Sequence, residues 1–209
     1  MDVGKLLGER DHVLVALDGP IAELSPFPTA ERLRVMVADG KLPRKVARTG
    51  DPFVVLAHAA TIGPATERAV HAQLGRIEHE RLVATRLAAG VRDALAAFVA
   101  AGTQVTVVSS LAATAVRSFL VMHGLIEHAR HFVARTTPDL TVLPPAPNFV
   151  TVAVHARTFP AESCLFVGAT DADVAAARAA GVPTIRYRDR TTEGHSVEWF
   201  GRLSTTIKR

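Results

Sequence analysis

The chain has almost no cysteine: Cys164 stands alone among 209 residues, so no disulfide forms within the chain and a reducing, cytoplasmic setting is expected. Long apolar runs are missing as well. Charges interrupt each one before the ~18 residues that a membrane-spanning helix needs. The opening residues, Met1 to Asp11, mix charges early and hold no apolar stretch of signal-peptide length. Neither charge sign dominates. The net charge of +4 comes from interspersed basic and acidic residues, which hints only faintly at an anionic partner and gives nucleic acid no support beyond the excess itself. Repeats and low-complexity tracts are absent, apart from a general richness in alanine.

What is present suits one α/β domain with a small insert. At 48% hydrophobic residues the chain can bury a core and does not read as disordered. Five short apolar runs read as buried parallel strands: Val13–Leu17, Val105–Val108, the weaker Phe132–Ala134, Cys164–Val167 and Pro183–Tyr187. Helical periodicity follows at Val91–Ala101, with Val91, Leu95, Phe98 and Val99 on one stripe before Gly102, and at Ala112–His123 before Gly124. An alanine-rich helix is predicted over Asp171–Ala180, its acidic start suiting the helix dipole.

Between the first and second runs no strand is evident from Pro26 to Ala89, only helical patterns at Ala30–Ala38, Pro52–Ala60 and Pro64–Ala88. In the last of these, Glu67, Arg68, Glu78, Glu80, Arg81 and Arg86 read as a solvated face. A helical insert after the first strand of an open α/β sheet is expected over the carboxyl ends of the strands, where such sheets place their sites.

Three separated segments then resemble one family. Val13-Leu14-Val15-Ala16-Leu17-Asp18-Gly19-Pro20-Ile21 resembles the first motif of the haloacid dehalogenase superfamily, a strand ending in Asp-x-Asp-Gly-Thr/Pro. Gly102 to Ser110 is similar to its second motif, a strand ending in Ser or Thr. Pro160 to Asp173, followed by the alanine-rich helix and Gly181, is similar to its fourth, and Pro145-Ala146-Pro147 keeps the Pro-x-Pro of the third. The resemblance implies an α/β Rossmannoid fold with a parallel sheet of order 5-4-1-2-3, helices on both faces and a helical cap. The core would take residues 1–23 and 90–209, and the cap 24–89. The nearest branch is phosphoglycolate-phosphatase-like.

The same resemblance marks what has been lost. The family's attacking aspartate falls at Ala16, its neutralising lysine at Pro144 and a magnesium-binding aspartate at Ala169. Asp18 keeps the acid/base position, Ser109 the hydroxyl that holds phosphoryl oxygens, and Asp173 the last acidic position. Phosphoryl transfer of this kind needs a carboxylate in line and a cation to cancel repulsion between anions. A methyl group can neither attack nor ligate, Mg²⁺ wants near-octahedral oxygen ligation, and proline carries no charge. The expectation is a catalytically silent binding or regulatory module with no cofactor, Mg²⁺ being the alternative alongside a weak or atypical phosphomonoester hydrolase working through Asp18 and Asp171.

Ser109, Ser110 and the Gly19 loop remain candidates for holding a small anion; a protein partner is the other possibility. Each residue also has a plainer reading. Asp18-Gly19 makes an ordinary turn, Ser109 and Ser110 cap a helix, and Asp171 and Asp173 complement a helix dipole. The histidines read as solvated, since His79-Glu80 lacks the second histidine of a zinc motif. Cys164 reads as packing, Trp199-Phe200 as a C-terminal pin, and Arg186, Arg188 and Arg190 as a solvated edge.

Overall fold

The computed structural model describes residues 10–187 other than Asp39. Arg188, Arg190, Trp199 and Phe200 lie outside the described residues. Five strands form one parallel sheet: β1 (His12–Ala16), β2 (Gln104–Ala112), β3 (His131–Arg135), β4 (Cys164–Gly168) and β5 (Thr184–Arg186), in the order β3-β2-β1-β4-β5. This is the predicted order read from the other edge. Every residue of β1 is buried, as befits a central strand covered on both faces.

The alternation of β1 divides the core. Val13 and Val15 point into a cluster with Val91, Leu95 and Phe98 of α5 (Val91–Ala100) and Val116, Phe119 and Leu120 of α6 (Ala113–Met122). Leu14 and Ala16 point the opposite way, toward Phe149, Val150 and Ala153 of α7 (Asn148–His155) and Ala176 and Ala177 of α8 (Asp171–Ala179).

The segment between β1 and β2 folds as four helices: α1 (Thr29–Arg34), α2 (Arg44–Arg48), α3 (Pro52–Ile62) and α4 (Pro64–Val83). They bury an apolar cluster of their own, including Leu33, Val46, Leu56, Val70, Leu74 and Ile77. Phe53 and Leu140 pack against both this cluster and the α7–α8 side of the sheet. Entry and exit chains meet where Ala22 bridges Leu87 antiparallel and the Ala88 N–H donates to the Ile21 carbonyl at 2.9 Å.

That pairing explains why α4 stops at Val83 rather than at the predicted Ala88. Residues 86–88 give their backbone groups to the incoming chain, and this tertiary contact outweighs helix propensity. The first helix is likewise shorter than its pattern. Two helices went unforeseen, α2 and α7. The second reads Asn148-Phe149-Val150-Thr151-Val152-Ala153-Val154-His155, β-branched enough to suggest a strand, yet it supplies the crossover that a parallel β3-to-β4 connection requires. Among the described residues, no helix is long and apolar enough to cross a membrane.

Candidate functional site

A crevice of about 430 Å³ opens where the carboxyl ends of β1, β2 and β4 face the helical insert. Its floor holds Ala16 at the end of β1 with Leu17 and Asp18 after it, Ser109, Ser110 and Leu111 from the end of β2, Pro144, and Thr170, Ala172 and Asp173 at the start of α8. From the insert come Asp51, Phe53, Leu74, Glu78 and Arg81. Six of the eight positions singled out from the sequence thus share one crevice. Gly19 and Ala169 do not line it.

Those two pack against each other instead. Gly19 has φ +86°, and a Cβ built on it would fall 2.7 Å from the Ala169 methyl. Its N–H donates to the Ala22 carbonyl at 3.0 Å, so this amide is already engaged inside the turn. Ala16 is only 4% exposed and ends β1 with a methyl.

Ser109 and Ser110 do not cap α6. Strand β2 runs on to Ala112, the residue before α6, and the Ser109 hydroxyl accepts from the Leu111 N–H at 3.1 Å. Asp173 does cap: its carboxylate accepts from the Thr170 N–H at 3.0 Å while the Thr170 hydroxyl accepts from the Asp173 N–H at 3.1 Å, a reciprocal capping box. Asp171 pairs with Arg186 at the surface, and its side chain is 87% exposed. It does not line the crevice.

Asp18 lies at the open mouth, exposed on one side and walled on the other. Loss of hydration against those walls pushes its carboxyl above the ordinary value; the Arg81 guanidinium pulls the other way and Asp173 adds to the rise. Arg81 itself donates from Nε and Nη2 to the Ser25 carbonyl, at 3.2 and 2.7 Å, and has no carboxylate partner among the described residues.

Glu78 was expected on a solvated face and is 3% exposed. Its Oε2 accepts from Arg135 Nη2 at 2.6 Å and from the Ala112 N–H at 2.8 Å. Arg135 in turn donates from Nε to the Ser110 carbonyl at 3.0 Å and lies over the Phe53 ring, 5.8 Å from its centroid. Of the residues read as that solvated face, Glu80 does pair at the surface, with Arg32. Glu78, Arg81 and Arg135 are the residues that sequence reasoning missed. One signal was available: Glu78 stands four residues after Leu74 and four before Leu82, both buried, and so lies on the apolar stripe of α4.

Other histidines depart from the solvated reading. His71, His123 and His128 each hold a buried ring nitrogen without a partner, and His12 is wholly buried with Nε2 2.8 Å from Thr106 Oγ1. Cys164 packs in the core as expected, and burial raises its thiol pKa. Among the described residues no group of three or more His, Cys, Asp or Glu side chains comes together as metal ligands would.

The model of the haloacid dehalogenase-like hydrolase family matches residues 55–187. Among solved structures, CbbY from Rhodobacter sphaeroides with xylulose-(1,5)bisphosphate bound is 18% identical, with a TM-score of 0.65 over 85% of each chain. A haloacid-dehalogenase-superfamily hydrolase from Geobacter sulfurreducens is 20% identical, with a TM-score of 0.55 over 86% of this chain and 87% of its own. A Lactobacillus plantarum protein assigned as a phosphoglycolate phosphatase is 14% identical, with a TM-score of 0.62 over 84% of each chain. At these identities the likeness is one of fold. No protein of curated function matches the chain.

Proposed function

We propose, from the premise that this chain belongs to the haloacid dehalogenase-like hydrolase family, that it is a catalytically silent member whose crevice binds without converting. Residues 24–89 serve as its cap and residues 1–23 with 90–209 as its core. A reduced Cys164 fits a cytoplasmic location.

One observation carries the reading. Ala16, at the family's nucleophile position by motif resemblance, ends the central strand and lines the crevice with a methyl group. No carboxylate stands there to attack phosphorus, and losing a nucleophile removes orders of magnitude in rate. Pro144, at the lysine position, adds no charge to the same wall. Asp171, the carboxylate that would have to substitute, is turned to Arg186.

Mg²⁺ does not fit the residues present. Ala169 offers no side-chain oxygen and packs on Gly19, and the Asp173 carboxylate is committed to the Thr170 N–H. Asp18 alone is too little for a cation that demands near-octahedral oxygen ligation.

Binding chemistry remains. The Ser109 hydroxyl keeps its proton free to donate, and Arg81 supplies a positive charge from the cap side. Asp18, Asp51 and Asp173 oppose a dianion, so the ligand is a small anion held weakly.

The test is direct. Purified protein with Mg²⁺ and a panel of phosphomonoesters releases no phosphate above a buffer blank. Turnover that disappears in Asp18→Asn would overturn the proposal.

A further inference from the structure

Resting on the reading of the crevice as an anion site, we infer that Glu78 is its resident anion: the cap's own carboxylate fills the place between the amino end of α6 and Arg135, holds the cap shut, and must be displaced before an external anion enters. The contact is autoinhibitory.

The amino end of a helix gathers N–H groups without intrahelical partners, and a carboxylate or phosphate is the group they hold best. At α6 that group is supplied from within the chain. Glu78 reaches across from α4 and accepts from the N–H of Ala112, the residue that precedes the helix as its N-cap. The second half of the site is Arg135, 1% exposed, whose Nη2 meets the same carboxylate oxygen. Guanidinium and helix end together make a fork suited to a planar carboxylate or a phosphate. The fork is not saturated. Arg135 Nη1 is buried with no partner, leaving a donor that a monodentate carboxylate does not meet and that an anion with three or four oxygens would.

Position gives the contact its consequence. Glu78 lines the crevice with Ser109 and Ser110, while its partners Ala112 and Arg135 line a second cavity of about 710 Å³ and Arg135 Nε holds the Ser110 carbonyl, so the internal anion sits at the corner where crevice and cavity adjoin. The same atoms join α4 of the cap to β3 and α6 of the core. Filling the corner and closing the cap are therefore one event, and an incoming anion competes with both.

Inorganic phosphate is the probe, titrated into wild type, Glu78→Ala and Glu78→Ala with Arg135→Met, followed by calorimetry and by melting temperature. Glu78→Ala should bind phosphate at least tenfold more tightly than wild type. Phosphate should also recover the melting temperature that the substitution costs, and the added Arg135→Met should abolish both gains. A folded Glu78→Ala with the phosphate affinity of wild type overturns the inference. Should Glu78→Ala fail to fold, Glu78→Gln replaces it, keeping the size and an acceptor for the Ala112 N–H while giving up the charge. Tighter phosphate binding there supports the inference, and unchanged binding overturns it. Hydrolysis of an ester by wild type would remove the silent reading yet leave this result standing, because phosphate is scored by binding alone.

Discussion

Glu78 Oε2 stands 2.6 Å from Arg135 Nη2, and the two side chains are 4% and 0% exposed. A salt bridge so buried is costly to break, because removing one partner strands the other charge in a medium that hydrates it poorly. Burial pushes the Glu78 carboxyl up, and Arg135 with the Ala112 N–H pulls it back.

Arg135→Met alone should therefore destabilise the fold by about 3–5 kcal/mol, measured by urea unfolding. Glu78→Leu with Arg135→Met should cost much less than the sum of the two single changes, since neither charge is left behind. Glu80→Ala, which breaks only the exposed pair with Arg32, should leave the unfolding midpoint where it was.

His12 sets a pH dependence. Its ring is buried, and burial first, then the charges of Arg157 and His131, lowers its pKa from 6.5 to about 4. The folded chain keeps it neutral while the unfolded chain takes a proton below pH 6.5, so its contribution is present above 6.5 and lost as pH falls toward 4, on the order of 3 kcal/mol in all. Asp18 and Glu78, both raised, act with the opposite sign: they favour the folded state as pH falls through the carboxylate range. Urea midpoints at pH 7.5 and 5.5 should drop for wild type by more than for His12→Gln.

Gly19→Ala combines two penalties, a left-handed φ of +86° and a methyl 2.7 Å from that of Ala169. Gly102→Ala carries the first alone, at φ +80° with nothing within 4 Å. The expected losses are about 1 kcal/mol at Gly102 and about 2–3 kcal/mol at Gly19, from thermal unfolding. Adding Ala169→Gly to Gly19→Ala should recover the excess.

Much of this fold was legible because β1, β2 and β4 are continuous apolar runs, a pattern that a sheet covered on both faces imposes. The crevice positions followed from the motif resemblance rather than from the pattern of the runs. Helix α7 was not legible: its alternating Val150, Val152 and Val154 carry no helical stripe of their own, and the helix serves as the crossover that a parallel β3-to-β4 connection requires. Nor was the Glu78–Arg135 contact, whose partners lie 57 residues apart. Glu78 looked like one more charge on a charged helix, though its spacing from Leu74 and Leu82 placed it on the buried stripe. Arg135 lies just past the weak run Phe132–Ala134 and carries no signal of its own. Charge alone does not tell a solvated residue from a paired one. Packing of α4 on β2 and α6 decides it.

The proposed loss of a divalent-ion site follows from the methyl groups at Ala16 and Ala169. It is tested most directly by the melting temperature of wild type through a Mg²⁺ titration, with and without inorganic phosphate. A ligand of the folded state at a hundred times its dissociation constant adds about 2.7 kcal/mol, which a melting curve resolves easily. No saturable Mg²⁺-dependent rise is expected under either condition. A rise that saturates, and that Asp18→Asn removes, would contradict it.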